Sequence, residues 1–298
     1  MQYTESSALT KALRPSKGIC LPELTFHTVN GVRLALYEWA GTGQPVLFAH
    51  ANGFHARCWD QVIARLPGRQ CYAPDLRGHG RSDKPAPPYD WRMFGQDMAE
   101  LARTLGLRDA VGVGHSLGGH AIALAAALAP EAFGQLLLID PVIMPRPVYA
   151  MPAPTEHFAA RRREHWESPA AMEQRFSTRP PFSRWDPAVL HDYCQHGLLP
   201  APGGDGFVLA CPPAIEAAIY LTGNQTDIYA ELATVTIPVT VMRAGQPARS
   251  LDDMEGSPTA ADLAQHFPHG RDIHLPQHTH FIPMEDPALI ATALASSR

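Results

Sequence analysis

Gly114-His115-Ser116-Leu117-Gly118-Gly119 is the stretch that decides how this chain is read. Ala110 to Gly114, just before it, is a short apolar run with the character of a strand. Leu117 to Ala129, just after it, has the spacing of a helix and is stopped by Pro130. A serine on so sharp a strand-to-helix turn is exposed above the sheet edge on strained backbone. Glycine two residues to either side removes the Cβ atoms that would clash there. The helix that starts at the turn aims its free N–H groups and positive dipole end at developing negative charge. The N–H of Leu117 is thereby a candidate donor of an oxyanion hole. A serine that only caps a helix is the bland alternative; the strand before and the helix after favour a nucleophile.

Working outward, Leu24–Val29 and Val32–Trp39 are strand-like and joined by Asn30-Gly31, a strong hairpin signal because both residues tolerate positive φ. Pro45–His50 is an apolar run without alternation, as expected of a strand buried on both faces. Helix-like sequence follows at Ala56–Leu66, a strand at Gln70–Pro74, and then the glycine-punctuated loop Asp75 to Ser82. Asp90–Gly106 places Trp91, Phe94, Met98, Leu101 and Leu105 on one helical face. Gln135–Asp140 is a strand of Leu, Leu, Leu and Ile closed by an aspartate. A hairpin followed by strand–helix units predicts an α/β fold, a mostly parallel, doubly wound sheet covered by helices on both faces.

The alternation breaks from Pro141 to about Leu232, a proline-rich stretch with helix-like segments near Glu156–Phe176, Pro187–Leu199 and Pro212–Tyr220 and no clear parallel strand. It resumes with a strand at Ile237–Met242, a helix near Thr259–Phe267, a strand near Asp272–Leu275 and a final helix after Pro287. The expected organisation is therefore a core of residues 19–140 and 233–298, with residues 141–232 forming a helical cap, or lid, inserted after the sixth strand.

The bulk properties agree with a sizeable folded core. The chain has 298 residues, 45% of them hydrophobic, and a net charge of −5. That charge gives no electrostatic reason to expect nucleic acid or an anionic membrane as partner. The five cysteines (Cys20, Cys58, Cys71, Cys194 and Cys211) are scattered and odd in number, which reads as reduced thiols in a cytoplasmic protein. The run Ala121–Pro130 is too short to span a bilayer, and Met1–Gly18 lacks the apolar stretch of a signal peptide. No phosphate loop, metal cluster or dinucleotide fingerprint stands in a supporting context, so neither cofactor nor metal is expected.

Four elements in chain order resemble the α/β-hydrolase superfamily: His50-Ala51-Asn52-Gly53-Phe54 after the third strand, Asp75 to Ser82 after the fourth, the serine turn, and His280-Phe281-Ile282-Pro283-Met284-Glu285-Asp286-Pro287. The resemblance runs from Leu24 to the C-terminus, is weakest over residues 141–232, and looks closest to single-chain, esterase-like bacterial hydrolases with a helical cap. It implies the α/β-hydrolase fold, Ser116 as nucleophile and His280 as its base, preferred over His278 because of the motif that follows it. His274, inside a predicted strand, reads as structural. Thr279 departs from the small residue usual before that histidine. For the acid, the common slot after the penultimate strand falls near Ala248 and holds no carboxylate. Asp140, at the end of the strand after the nucleophile, is favoured; Asp252 and Asp253 are the alternatives. Matching His50-Ala51 to the family's usual His-Gly makes the backbone N–H of Asn52 the second oxyanion donor, beside that of Leu117, with Phe54 lining the acyl site. Asp75 and Arg77 read as scaffold.

The function these readings imply is hydrolysis of a carboxylic ester or similar small, largely apolar acyl substrate. An aspartate nucleophile would be expected of the resembling dehalogenases and epoxide hydrolases, and the serine argues against both. Carbon–carbon bond hydrolysis, perhydrolysis and cofactor-free dioxygenation by a His–Asp dyad also occur on this scaffold and stay open. A non-enzymatic binding module is the third alternative, though binding needs none of these three side chains. In the cap, Arg161-Arg162-Arg163 could attract an anion, but a charge run on a helix is more often a solvated face.

Overall fold

Asn30 and Gly31 both take positive φ (44° and 77°), which turns β1 (Glu23–Val29) back on β2 (Val32–Trp39) as an antiparallel pair. The computed structural model describes residues 21–250, 253 and 255–296. β2 also pairs antiparallel with β4 (Arg69–Pro74), and from there the sheet is parallel. β3 (Gly43–Ala49) lies between β4 and β5 (Ala110–His115), followed by β6 (Phe133–Ile139). The eight-stranded order is β1-β2-β4-β3-β5-β6-β10-β11, with the last two strands at Val239–Ala244 and Gly270–Leu275. Strand order reverses where β3 meets β5, so the carboxyl ends of these two strands form the crevice in which such sheets bind ligands.

Both faces are covered, which is why the central strands read as continuous apolar runs. On one face α2 (Trp91–Thr104) and α3 (Leu117–Leu128) bury Phe94, Met98, Leu101, Ile122 and Leu124 against Leu34, Leu36 and Leu47. On the other, α1 (Asp60–Ile63) and the C-terminal helix bury Val62, Ile290 and Leu294 with Phe48, Trp59 and Val113. Each large apolar side chain so buried contributes about 1.5–3 kcal/mol. No helix among the described residues is long and apolar enough to cross a membrane.

Residues 141–232 are not purely helical. They carry α4 (Pro169–Phe176), α5 (Pro187–His196), α6 (Pro213–Tyr220) and α7 (Tyr229–Leu232). They also hold a small antiparallel sheet, β7 (His165–Trp166), β8 (Leu198–Pro200) and β9 (Phe207–Leu209), in the order β7-β9-β8. Strands of two or three residues are too short to show a period. The helix expected from Glu156 to Phe176 starts only at Pro169, where the Ser168 hydroxyl accepts from the Ala171 N–H at 3.1 Å; before it, the Glu164 carbonyl accepts from Leu209 N–H. An aromatic cluster of Phe54, Trp166, Trp185, Tyr193 and Phe281 joins the insertion to the sheet edge. At its end, Ile228, Tyr229 and Leu232 pack into the main core.

Two further helices are shorter than expected. Ala56–Leu66 forms a 3-10 turn and a single α turn, and Thr259–Phe267 only a 3-10 turn at Leu263–His266, since the Thr259 side chain is held by Asp140 and Pro141. α8 (Ile282–Glu285) and α9 (Pro287–Ser296) close the fold.

Candidate active site

The turn at Ser116 is built as tightly as its sequence demands. Ser116 takes φ 57° and ψ −120° between β5 and α3. A Cβ on Gly118 would lie 2.1 Å from the Ala49 carbonyl oxygen, and one on Gly114 2.2 Å from that of Gly118. Only glycine permits the helix to start this close to the neighbouring strand. The Ser116 Oγ lies 2.9 Å from His280 Nε2, and His280 Nδ1 lies 2.7 Å from Asp140 Oδ2. The three side chains come from the ends of β5, β6 and the loop after β11, and all are buried, Asp140 completely.

Asp140 also takes a positive φ, 41°. Its other oxygen, Oδ1, accepts from the Ala244 N–H (2.9 Å), the Ser257 hydroxyl (2.5 Å) and the Thr259 hydroxyl (3.3 Å). These donors hold the carboxylate so that Oδ2 faces the imidazole. His280 itself is held through its backbone. Its N–H donates to the Glu255 carbonyl at 2.8 Å, and its carbonyl accepts from His115 Nε2 at 2.8 Å. His115 must therefore be protonated on Nε2; burial first, then the neighbouring His280, pushes its pKa well down, so the ring stays neutral.

The other candidates lie elsewhere. The His278 imidazole is 3.9 Å from Asp286, and His274 Nε2 bonds the Gly245 carbonyl at 3.1 Å. Asp253 is a loop cap: its carboxylate accepts from the N–H groups of Arg249, Glu255 and Gly256, which hold its pKa down at about 2. Asp252 lies outside the described residues.

Neither the Asn52 nor the Leu117 N–H has an acceptor among the described residues, as a pair of oxyanion donors requires. The loop that carries Asn52 is fixed by two neutral histidines. His50 donates from Nδ1 to the Ala51 carbonyl and accepts from Leu76 N–H at Nε2. His79 donates to the Arg77 carbonyl and accepts from Gly53 N–H. Burial pushes both down to about 3. Asp75 accepts from the N–H groups of Ala56 and Arg81, and Arg77 forms a two-pronged pair with Asp97 at 2.6 Å. The Asn52 amide nitrogen donates to the Glu216 carbonyl at 3.0 Å, tying this loop to α6. The Glu216 carboxylate is buried against Arg162, whose guanidinium also reaches the Tyr193 hydroxyl at 2.9 Å. Burial pushes the Glu216 carboxyl up, against the pull of Arg162.

Ser116 and His280 open into a cavity of about 630 Å³ with an apolar wall that includes Trp91, Val142, Met144 and Val148. A second cavity, of about 300 Å³, lies against Asn52, Phe54 and Phe281 and shares Tyr220 with the first. Metal-type spacing occurs among the described residues at Asp60, Asp192 and His196, whose ligand atoms lie within 4.8 Å of one another. Asp60 is already clamped by Arg57, however, and Asp192 accepts from Gln61.

A model of the Alpha/beta hydrolase family matches residues 46–293, and the chain belongs to that family. An uncharacterized protein of Mycobacterium tuberculosis is 38% identical over 129 residues, 43% of this chain but only 38% of that protein's length. The 2-(acetamidomethylene)succinate hydrolase of Mesorhizobium japonicum is 31% identical over 208 residues, 68% of this chain and 71% of its own. The crystal structure of E-2-(acetamidomethylene)succinate hydrolase superposes with a TM-score of 0.73 at 23% identity, covering 92% of this chain and 98% of that one, a likeness of fold.

Proposed function

We propose that the protein is a serine hydrolase of a carboxylic ester or similar acyl compound, working through an acyl-enzyme on Ser116. The observation that carries this reading is the unbroken hydrogen-bonded chain from Ser116 Oγ through His280 to Asp140. A serine hydroxyl is a poor nucleophile until a base in contact with it takes its proton. Here His280 Nε2 takes it as Oγ bonds to the scissile carbonyl carbon, and Asp140 stabilises the imidazolium. The carbonyl oxygen, now negative, receives the N–H groups of Asn52 and Leu117. The tetrahedral adduct collapses, the bond to the leaving alcohol breaks, and His280 returns the proton to that alcohol. Water then gives a proton to His280 as it attacks the acyl carbon; the second adduct collapses with cleavage of the bond to Oγ, and His280 passes its proton to Oγ, releasing the acid and the free Ser116 hydroxyl.

Residues 141–232 serve as a lid over this site, and the apolar wall of the larger cavity supports a small, largely apolar substrate rather than a nucleic acid or a membrane. The four described cysteines are free, which supports a reducing, cytoplasmic setting.

Labelling the folded protein with a fluorophosphonate and mapping the adduct tests the reading. A single adduct on Ser116, with p-nitrophenyl ester turnover lost in Ser116→Ala, is the expected result. A label elsewhere, or none, refutes it. Oxygen consumption that persists in Ser116→Ala would instead support the dyad dioxygenase.

A further inference from the structure

The smaller cavity is unlike the larger in its charge. Arg162, Arg163, Arg175 and Arg179 all line it, against a single acid, Glu216. Glu216 is taken up by Arg162 in a buried pair. Arg163 lies over Trp166, 4.5 Å from the ring centroid, with Glu167 at 3.9 Å. Arg175 and Arg179 have no acidic partner among the described residues. The cavity thus carries a net charge of three positive within a chain whose net charge is −5. Apart from Asn52 and Pro181, its remaining wall is aromatic. Concave, low-dielectric walls concentrate such a field on whatever enters, and a guanidinium matches a carboxylate with two parallel hydrogen bonds.

We propose that this cavity is a carboxylate-binding subsite, so that the substrate is a compact acyl compound bearing a free carboxylate besides its scissile carbonyl. The proposal rests on Ser116 being the nucleophile. Asn52, whose N–H is the proposed oxyanion donor, lines the subsite, and Tyr220 lines both cavities, so the subsite neighbours the serine's own cavity. Arg175 and Arg179 are exposed, and a neutral substrate would leave them to solvent. An anionic one pairs them while its carbon chain lies against Phe176 and Phe182.

The test compares substrates with and without a carboxylate, using the full chain. Mono-p-nitrophenyl glutarate against p-nitrophenyl pentanoate places the charge on the acyl side; acetoxybenzoate against phenyl acetate places it on the leaving group. The expected result is a higher kcat/KM for the anion in at least one pair, a preference that shrinks as salt is raised. In Arg175→Gln/Arg179→Gln the anionic-to-neutral ratio falls about tenfold, carried by KM. Arg271→Gln, an exposed charge on β11, keeps the wild-type ratio. A ratio that the double variant leaves at its wild-type value, or a preference for the neutral ester in both pairs, overturns the subsite. If Ser116-dependent turnover of the neutral esters is present in either case, the nucleophile reading stands while the subsite falls. Absence of both turnover and fluorophosphonate labelling removes the nucleophile reading, and the subsite with it.

Discussion

Asp140→Asn separates the proposed mechanism from a merely structural role for this carboxylate. Three donors converge on Oδ1, from Ala244, Ser257 and Thr259, and one imidazole nitrogen faces Oδ2. In the variant the amide has one acceptor end and one donor end. The three donors claim the oxygen, so the –NH2 group is turned toward His280 Nδ1. That nitrogen then has to accept, which moves the ring proton to Nε2, facing Ser116 Oγ. The base is left in the wrong tautomer with its lone pair pointing away from the hydroxyl, and the carboxylate that would balance the imidazolium is gone. Loss of both functions is worth about 4–5.5 kcal/mol of transition-state stabilisation, or a fall in kcat of roughly 10³–10⁴. The size and the buried hydrogen bonds are retained, so folding survives. The assay is p-nitrophenyl ester turnover with active sites counted by fluorophosphonate titration, alongside a thermal melt. A well-folded variant that keeps more than a tenth of wild-type kcat would refute the assignment of Asp140 and return attention to the loop after β10.

Other outcomes follow from the same geometry. Ser257→Ala removes the shortest hydrogen bond to Asp140, and kcat should drop about tenfold with KM little changed; stopped-flow acylation rates check it. Gly53→Ala strains a φ of 79° and sets a Cβ 2.6 Å from Glu216 Oε1, so both the oxyanion loop and the melting temperature suffer, by about 2 kcal/mol or more in chemical denaturation. Stability should also fall in mild acid. His50, His79 and His196 are pushed down to about 3 and His120 to about 4, while His55 and His115 are lowered as well, all chiefly by burial. As pH drops below the ordinary imidazole value of about 6.5, the unfolded chain binds protons that these buried rings refuse, so the unfolded state gains. Asp192, pushed up to about 6 by burial, works the opposite way, as do the raised carboxyls of Asp60, Asp97 and Glu216. The histidines outnumber them, and calorimetry should find a melting temperature lower at about pH 5 than at neutrality by about 5 °C or more; a flat profile contradicts this balance.

What was legible in the sequence is what is encoded locally. The serine turn announces itself because strand, glycine spacing and helix lie within about twenty residues, and Asp140 because it closes an apolar strand just before a proline. The residues that orient the acid were not legible. Ser257 and Thr259 act across 117 and 119 positions, from a loop without periodicity, and hydroxyls carry no sequence signal of their own there. Arg162 was visible only as part of a charge run; its burial against Glu216, 54 positions away, depends on how the insertion packs. The expected helices at Ala56–Leu66 and Thr259–Phe267 ran too long for a related reason. Their apolar spacing serves contacts with the sheet, and hydrogen bonds from the Ala56 N–H to Asp75 and from the Thr259 hydroxyl to the Pro141 carbonyl fix those starts in other conformations.

In the proposed mechanism, the position of Asp140 also decides which parts of the molecule act on catalysis. β6 and β10 are paired neighbours, Ile139 opposite Met242, so an imidazole from the loop after β11 can be met by a carboxylate from either strand end. With the carboxylate on β6, the loop after β10 is free to supply donors, and a second carboxylate there would repel the first. The consequence reaches the insertion. Asp140 is followed at once by Pro141, and the Val142 N–H donates to the carbonyl of Ser116 itself at 3.1 Å, while Ser116 N–H donates to Ile139. Ser116, Asp140 and residues 141–142 are therefore one hydrogen-bonded unit. Of the four described non-glycine residues with positive φ, Asn30 and Asp109 lie in turns before strands, and the other two are Ser116 and Asp140. Such backbone costs about 1–3 kcal/mol per residue and persists only where surroundings over-determine it. Here the bonds from Asp140 N–H to Met242 and from Val142 N–H to Ser116 do so. A displacement of the chain at Pro141–Ile143 would thus be transmitted to Ser116 and Asp140 at once, without passing through the substrate.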